Sequence, residues 1–270
     1  MQDTFFINLA IGVIAGILAG MFGIGGGVVI VPALVFFAGY SLTQANGTSL
    51  LALLLPVGIF AVMQYYRNGF LKIRISLILA SGLIIGVWFG SELALYVSPK
   101  LLKALYSLFL LYVVWTFSNP KDLWFRYILK RELPSVNENE LKNSIKHTHV
   151  QIYTILLGIL AGILSGMFGI GGGLVIVPFL VTFLHFDTKT AIGTSLGALL
   201  LPVGLPGVIA YNNAGHLNIS LGLTVALGLL FGAIIGAKIT ISLSSVLIKR
   251  VYSVFLLIIS IYFIIQSLSK

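Results

Sequence analysis

The chain has 270 residues, 59% of them hydrophobic and only 9% charged, with mean hydropathy +1.09; a soluble domain carries about 25% charged residues, so an ordinary soluble fold is excluded and a polytopic all-α membrane protein is expected. The net charge of +9 does not point to nucleic acid, because Lys and Arg collect in the loops between apolar spans, where they set orientation and meet anionic lipid. Cysteine is absent, so disulfide and thiol chemistry cannot be invoked.

Nearly uncharged apolar runs recur at 5–22, 47–66, 75–97, 105–117, 152–168, 193–211, 219–237 and 251–268, which predicts about eight principal spans. Most can cross a hydrocarbon core of ~30 Å as helix, and 105–117 does so only if it extends back to Leu101. The N-terminal Met1-Gln2-Asp3-Thr4 lacks the basic region of a signal peptide, so the first span is expected to be retained.

The first span is interrupted after Phe22 by Gly23, Gly25, Gly26 and Gly27, and the apolar run resumes over 28–38, which is only ~16 Å of helix. A re-entrant half-helix, or one helix broken in the middle, is the expected form. Gly47-Thr48-Ser49 opens the next long span, where the hydroxyls suit a helix cap, and Pro56 with Gly58 should kink it. Arg67, Lys72 and Arg74 form a basic loop before 75–97 and 101–117. Residues 119–149 are the one long polar stretch, read as a charged cytoplasmic linker whose Trp124, Phe125 and Tyr127 lie on the membrane interface.

After the linker the pattern starts again. Met21 to Pro32 reads MFGIGGGVVIVP and Met167 to Pro178 reads MFGIGGGLVIVP; an offset of 146 aligns 12–58 with 158–204 without a gap, 32 of 47 positions being identical. The expected organisation is therefore a first transmembrane repeat at 1–118, the linker, and a second repeat at 150–270. Arg67, Lys72 and Arg74 correspond to uncharged Asn213, Asn218 and Ser220, whereas Lys238, Lys249 and Arg250 correspond to Glu92, Lys103 and Ala104; Lys100 and Lys103 sit on the disfavoured side, which keeps parallel repeats as the alternative. If basic loops face the cytoplasm, the same loop is inside in one copy and outside in the other, which is the charge pattern of an inverted repeat.

A paired break in corresponding spans is the best sequence pointer to a transport site. Half-helices starting after Gly27 and Gly173 would aim free N–H groups and positive dipole ends inward, and Thr48, Ser49, Thr194 and Ser195 would add hydroxyl donors. Acidic residues are nearly missing from the spans, Glu92 being the one well inside an apolar run, so the donor set suits an anion better than a cation. The expected substrate-binding residues are Gly25, Gly26, Gly27, Thr48, Ser49, Gly171, Gly172, Gly173, Thr194 and Ser195. Gly12, Gly16 and Gly20, with Gly82, Gly86 and Gly90, are spaced for helix packing instead.

Enzyme readings are weak: G-I-G-G-G has neither a following Lys-Ser nor a strand context, the four histidines lie in linker and loops, and no metal or cofactor is expected. The expected partners are a small anionic solute and the lipid bilayer, with a homo-oligomer open and no nucleic acid. One unit rocking against the other would give alternating access. A passive anion channel is the competing reading, and a membrane-bound signalling protein with the linker as its output is another.

The duplicated G-x-x-G-x-G-G-G-x-x-x-x-P, at Gly20 to Pro32 and Gly166 to Pro178, with the duplicated G-T-S block, resembles the sulfite exporter TauE/SafE family over essentially the whole chain apart from the linker. The resemblance implies a multi-pass protein of the inner or plasma membrane that moves sulfur oxyanions or organosulfonates.

Overall fold

The computed structural model describes residues 2–56, 58–118, 147–244 and scattered positions from 247 to 265. Every described element is a helix: α1 Gln2–Phe22, α2 Gly27–Phe37, α3 Leu42–Leu54, α4 Ile59–Arg67, α5 Ile73–Tyr96, α6 Pro99–Ser118, α7 His147–Phe168, α8 Gly173–Thr182, α9 Thr188–Leu199, α10 Leu205–Asn213 and α11 Ile219–Ser242. Shifted by 146 residues, α1 to α5 fall on α7 to α11 to within one residue at each boundary. The charged linker falls outside the described residues except for its last three, which open α7, and so does most of the expected span 251–268.

α1, α5, α7 and α11 are each long and apolar enough to cross a membrane. The run 47–66 is split into α3 and α4, bent by 53° where Pro56 and Gly58 remove helical support. α9 and α10 divide the run 193–211 in the same place.

The expectation that helices begin at Thr48 and Thr194 is corrected. Ser41 caps α3, its Oγ accepting from Gln44 N at 3.2 Å while its own N–H donates to Gln44 Oε1 at 3.1 Å. Asp187 caps α9 by accepting from the N–H groups of Lys189 and Thr190. These residues satisfy the orphan donors of the first turn, so the helices start six residues upstream of Thr48 and Thr194. The hydroxyls of the G-T-S blocks therefore sit in helix interiors.

Two helix pairs frame the molecule, and each takes one helix from each half. Gly12, Gly16 and Gly20 of α1 meet Val225–Gly228, Leu229–Ala233 and Ala233–Ala237 of α11 in ascending order, so the helices run in the same direction. Gly228, Gly232 and Gly236 answer from α11, so bare backbone meets bare backbone. Gly82, Gly86 and Gly90 of α5 meet α7 in the same way, opposite Gly158, Gly162 and Gly166. Any Cβ on these stripes would strike main-chain atoms of the neighbour. In lipid there is no hydrophobic drive between helices, and close approach through small residues supplies the attraction instead. Aromatic side chains such as Phe36, Phe37, Trp88 and Phe89 point outward, 58–70% exposed.

The two frames run in opposite directions. Lys189 Nζ donates to the carbonyl of Ile241 at 2.7 Å and lies 5.7 Å from the centre of the Phe70 ring, so the end of α11 sits beside the residues leading into α5. At the other end, Asn213, which closes α10 ahead of α11, shares a surface hollow with Trp88 and Glu92 of α5.

Candidate functional site

The site is built from the two glycine tracts. Gly23, Gly25 and Gly26 have φ of 71°, 78° and 87°, and Gly169, Gly171 and Gly172 have 66°, 80° and 79°. This left-handed region costs any other residue roughly 1–2 kcal/mol per position, so glycine is what lets the chain leave the helix here. α2 and α8 then start at Gly27 and Gly173, with Gly26 and Gly172 as their left-handed N-caps. The first helical bonds of α2 run from Val29 and Ile30 N–H to Gly26 O, so the N–H groups of Gly27 and Val28 precede the ladder.

The tracts cross each other. A Cβ on Gly27 would overlap the carbonyl of Gly169 and the backbone of Ile170; one on Gly173 would overlap the carbonyl of Gly23 and the backbone of Ile24. Ser49 Oγ donates to Gly169 O at 2.7 Å and Ser195 Oγ to Gly23 O at 2.8 Å. Each half therefore ties down the other half's unwound carbonyl, and with no water in the hydrocarbon region those acceptors would otherwise cost several kcal/mol, roughly. Tyr65 Oη donates to Gly20 O at 2.9 Å and Tyr211 Oη to Gly166 O at 2.8 Å, clamping the ends of α1 and α7 alike. Thr48 Oγ1 accepts from Asn218 N at 3.4 Å and Thr194 Oγ1 from Lys72 N at 3.2 Å, fastening each G-T-S block to the start of the other half's long helix.

Gly25 and Gly171 face each other at the centre of this crossing. A Cβ on Gly25 would stand 3.7 Å from Gly171 Cα, 3.7 Å from Leu53 and 3.2 Å from Leu199. Both glycines line an internal cavity of about 40 Å3, where a single water needs roughly 10–15 Å3. Leucines of α3 and α9 wall it, and it reaches Gly58 and Gly204 at the breaks between α3 and α4 and between α9 and α10. Among the described residues no ionisable one lines it.

Of the ten residues expected from the sequence, the structure brings Gly25 and Gly171 to the cavity wall. Gly26, Gly27, Gly172 and Gly173 lie beside it, packed against the opposite half. Thr48, Ser49, Thr194 and Ser195 are fully buried behind it, their oxygens engaged by backbone groups. Sequence reasoning missed Gly58 and Gly204, though both stand inside the matched block. It also missed Ser165, the one polar side chain on the wall among the described residues, whose counterpart is Ala19; the signal was a departure from identity between the copies. Among the described residues no group of three His, Asp or Glu side chains comes together that would hold a metal ion.

The profile of the family described as Sulfite exporter TauE/SafE matches residues 8–263. Among curated proteins, the chain is 26% identical to "Probable membrane transporter protein YunE" of Bacillus subtilis, over 95% of this chain and 96% of that one. It is 28% identical to "Probable membrane transporter protein YdhB" of the same organism, covering 87% and 89%. A "Probable membrane transporter protein" of Haemophilus influenzae is 29% identical, covering 97% and 98%. No solved structure matches the chain. A match over nearly the whole length, a set of apolar spanning helices and relatives of the same length lead to one conclusion: this multi-pass membrane transporter belongs to the sulfite exporter TauE/SafE family.

Proposed function

We propose that the protein is a secondary transporter that carries a small anion, a sulfur oxyanion or organosulfonate, across the cell membrane through the cavity between Gly25 and Gly171. The observation that carries this reading is the meeting of two broken helices, one from each half, on one cavity. The substrate-binding surface is the pair of tracts Gly25, Gly26, Gly27 and Gly171, Gly172, Gly173, held in shape by Thr48, Ser49, Thr194 and Ser195. Neutral N–H donors and the positive ends of α2 and α8 suit a negative charge, and the absence of a lining carboxylate removes the main source of repulsion.

The two halves are inverted in this reading. Support comes from the asymmetric basic loops and from α5 and α11, counterpart helices whose starting ends lie at opposite ends of the frame. The moving bodies differ from the two sequence halves, because α11 packs along α1 and α5 along α7. Alternating access then pivots α1 to α4 with α11 against α7 to α10 with α5, the crossing of the tracts acting as the fulcrum.

The test is counterflow of sulfite or methanesulfonate in proteoliposomes with Gly25→Ala, Gly171→Ala and the double variant. Each alanine adds roughly 1–2 kcal/mol of backbone strain and a methyl group inside the cavity, so the expected outcome is a folded protein with flux cut at least tenfold. Undiminished counterflow in the double variant overturns the site. Flux without saturation or exchange identifies a channel instead.

A further inference from the structure

Among the described residues, fourteen of the fifteen that line the central cavity are Gly, Ala, Val or Leu, and the fifteenth is Ser165. It lies on the last turn of α7, where its carbonyl accepts from Gly169 N at 2.8 Å, and its residue surface is 2% exposed. A Cβ on Gly172 would stand 3.7 Å from Ser165 Cβ, so the side chain leans against the glycine tract. Helical hydroxyls elsewhere are spent on carbonyls: those of Ser91, Ser107 and Thr182 donate to the carbonyl four residues back at 2.8–2.9 Å, and those of Ser49, Ser195 and Thr240 donate to carbonyls of the other half at 2.7–2.9 Å. Ser165 makes no such bond among the described residues. Ser165 lines the cavity, so its hydroxyl is placed to donate to whatever occupies that space.

The other half places Ala19 at the equivalent position, and Ala19 lines the same cavity. The cavity is thus close to symmetric in shape and one-sided in polarity. With no charged side chain on its wall, it must take its occupant's charge out of water on neutral donors alone. The idealised cost of that transfer grows as the square of the charge, so a dianion pays about four times what a monoanion pays.

Building on the carrier reading above, we propose that Ser165 is the specificity-determining side chain of the site, donating a hydrogen bond to one oxygen of a singly charged oxyanion such as a sulfonate or hydrogensulfite. The hydroxyl fixes which way the anion faces in a pocket whose backbone donors are otherwise paired about the crossing.

The experiment is methanesulfonate and sulfate counterflow in proteoliposomes, at equal ionic strength, with wild type, Ser165→Ala, Ser165→Thr and Ser165→Ala with Ala19→Ser. Alanine is the residue the other half already carries at this position, so the variant is expected to fold. Wild type should move methanesulfonate in preference to sulfate. Ser165→Ala should raise KM for methanesulfonate about tenfold with little change in kcat, because one hydrogen bond to a charged group is lost. Ser165→Thr should keep KM within about threefold, and Ala19→Ser should recover most of the loss by offering the hydroxyl from the opposite wall, a rescue that a packing role for Ser165 would not give. An unchanged KM in Ser165→Ala, with wild type active, overturns this inference and leaves the carrier reading standing. Faster sulfate than methanesulfonate flux overturns the charge selection. No counterflow of any anion by wild type overturns the carrier reading itself.

Discussion

In the tract 23–27 the carbonyl of Gly23 accepts from Ser195, and in the tract 169–173 the carbonyl of Gly169 accepts from Ser49, so the crossing looks the same from either side. One step outward the two sides part. The carbonyl of Met167 is satisfied by Asn46 Nδ2 at 2.7 Å, whereas that of Met21 is satisfied by Thr240 Oγ1 at 2.9 Å. The residue matching Asn46 is Ile192 and the one matching Thr240 is Ala94, so neither half keeps its counterpart's solution. The same need, a partner for a carbonyl at a helix end in a water-free interior, was met from a different helix on each side. The bonds at the crossing are the same in both copies, whereas those one step outward, which also join the halves, differ. Ser165 against Ala19 is the difference that reaches the cavity.

The most damaging way to break the comparison is to put a methyl group on the crossing itself. Gly27→Ala and Gly173→Ala each drive a Cβ into a carbonyl of the opposite tract and leave nowhere for it to go. Each is expected to cost more than about 4 kcal/mol, read as loss of monodisperse protein after detergent extraction. The cavity-facing Gly25→Ala should by contrast extract normally. Equal yields from Gly27→Ala and Gly25→Ala would remove the distinction between crossing and cavity.

A subtler test exchanges the two solutions. Asn46→Ile copies the second half into the first and strands the Met167 carbonyl, at a cost of about 1–3 kcal/mol in denaturation midpoint. Ala94 is 2% exposed at the position equivalent to Thr240, so adding Ala94→Thr should return at least half of the loss. A double variant no better than Asn46→Ile would mean that the halves are less alike around the Met carbonyls than their sequences imply.

The smallest expected effect tests where the symmetry holds. Tyr65→Phe and Tyr211→Phe each remove one hydrogen bond to a helix-end carbonyl, of Gly20 and of Gly166. Each should destabilise by about 0.5–1 kcal/mol, and by the same amount to within a few tenths. A difference of several-fold between them would show that one clamp carries a strain the other does not.

How much of this was legible beforehand depends on what kind of signal each feature leaves. The glycine stripes on α1 and α5 announce close packing through their spacing, and positions 25 and 171 announce an unwound backbone through three consecutive glycines. The G-T-S blocks misled because Thr and Ser suit both a helix cap and a helix interior. Ser41 and Asp187, with their own capping bonds, decided the matter. Ser165 left no positive signal, because a single Ala to Ser difference in an apolar helix gains its meaning only from the space in front of it.

Composition and periodicity by themselves determined that this chain lives in a membrane as helices, that the segment 12–58 recurs in sequence at 158–204, and that the apolar runs are interrupted at two matched places. Those properties follow from local chemistry: apolar length, backbone freedom and repeated order are written residue by residue. Which helix lies against which was decided only by the tertiary structure, since a Gly-x-x-x-Gly stripe fits any partner that offers bare backbone at the same spacing. That choice placed α11 on α1 and α5 on α7, crossed the two tracts, and set Ser165 on the wall of the space between them.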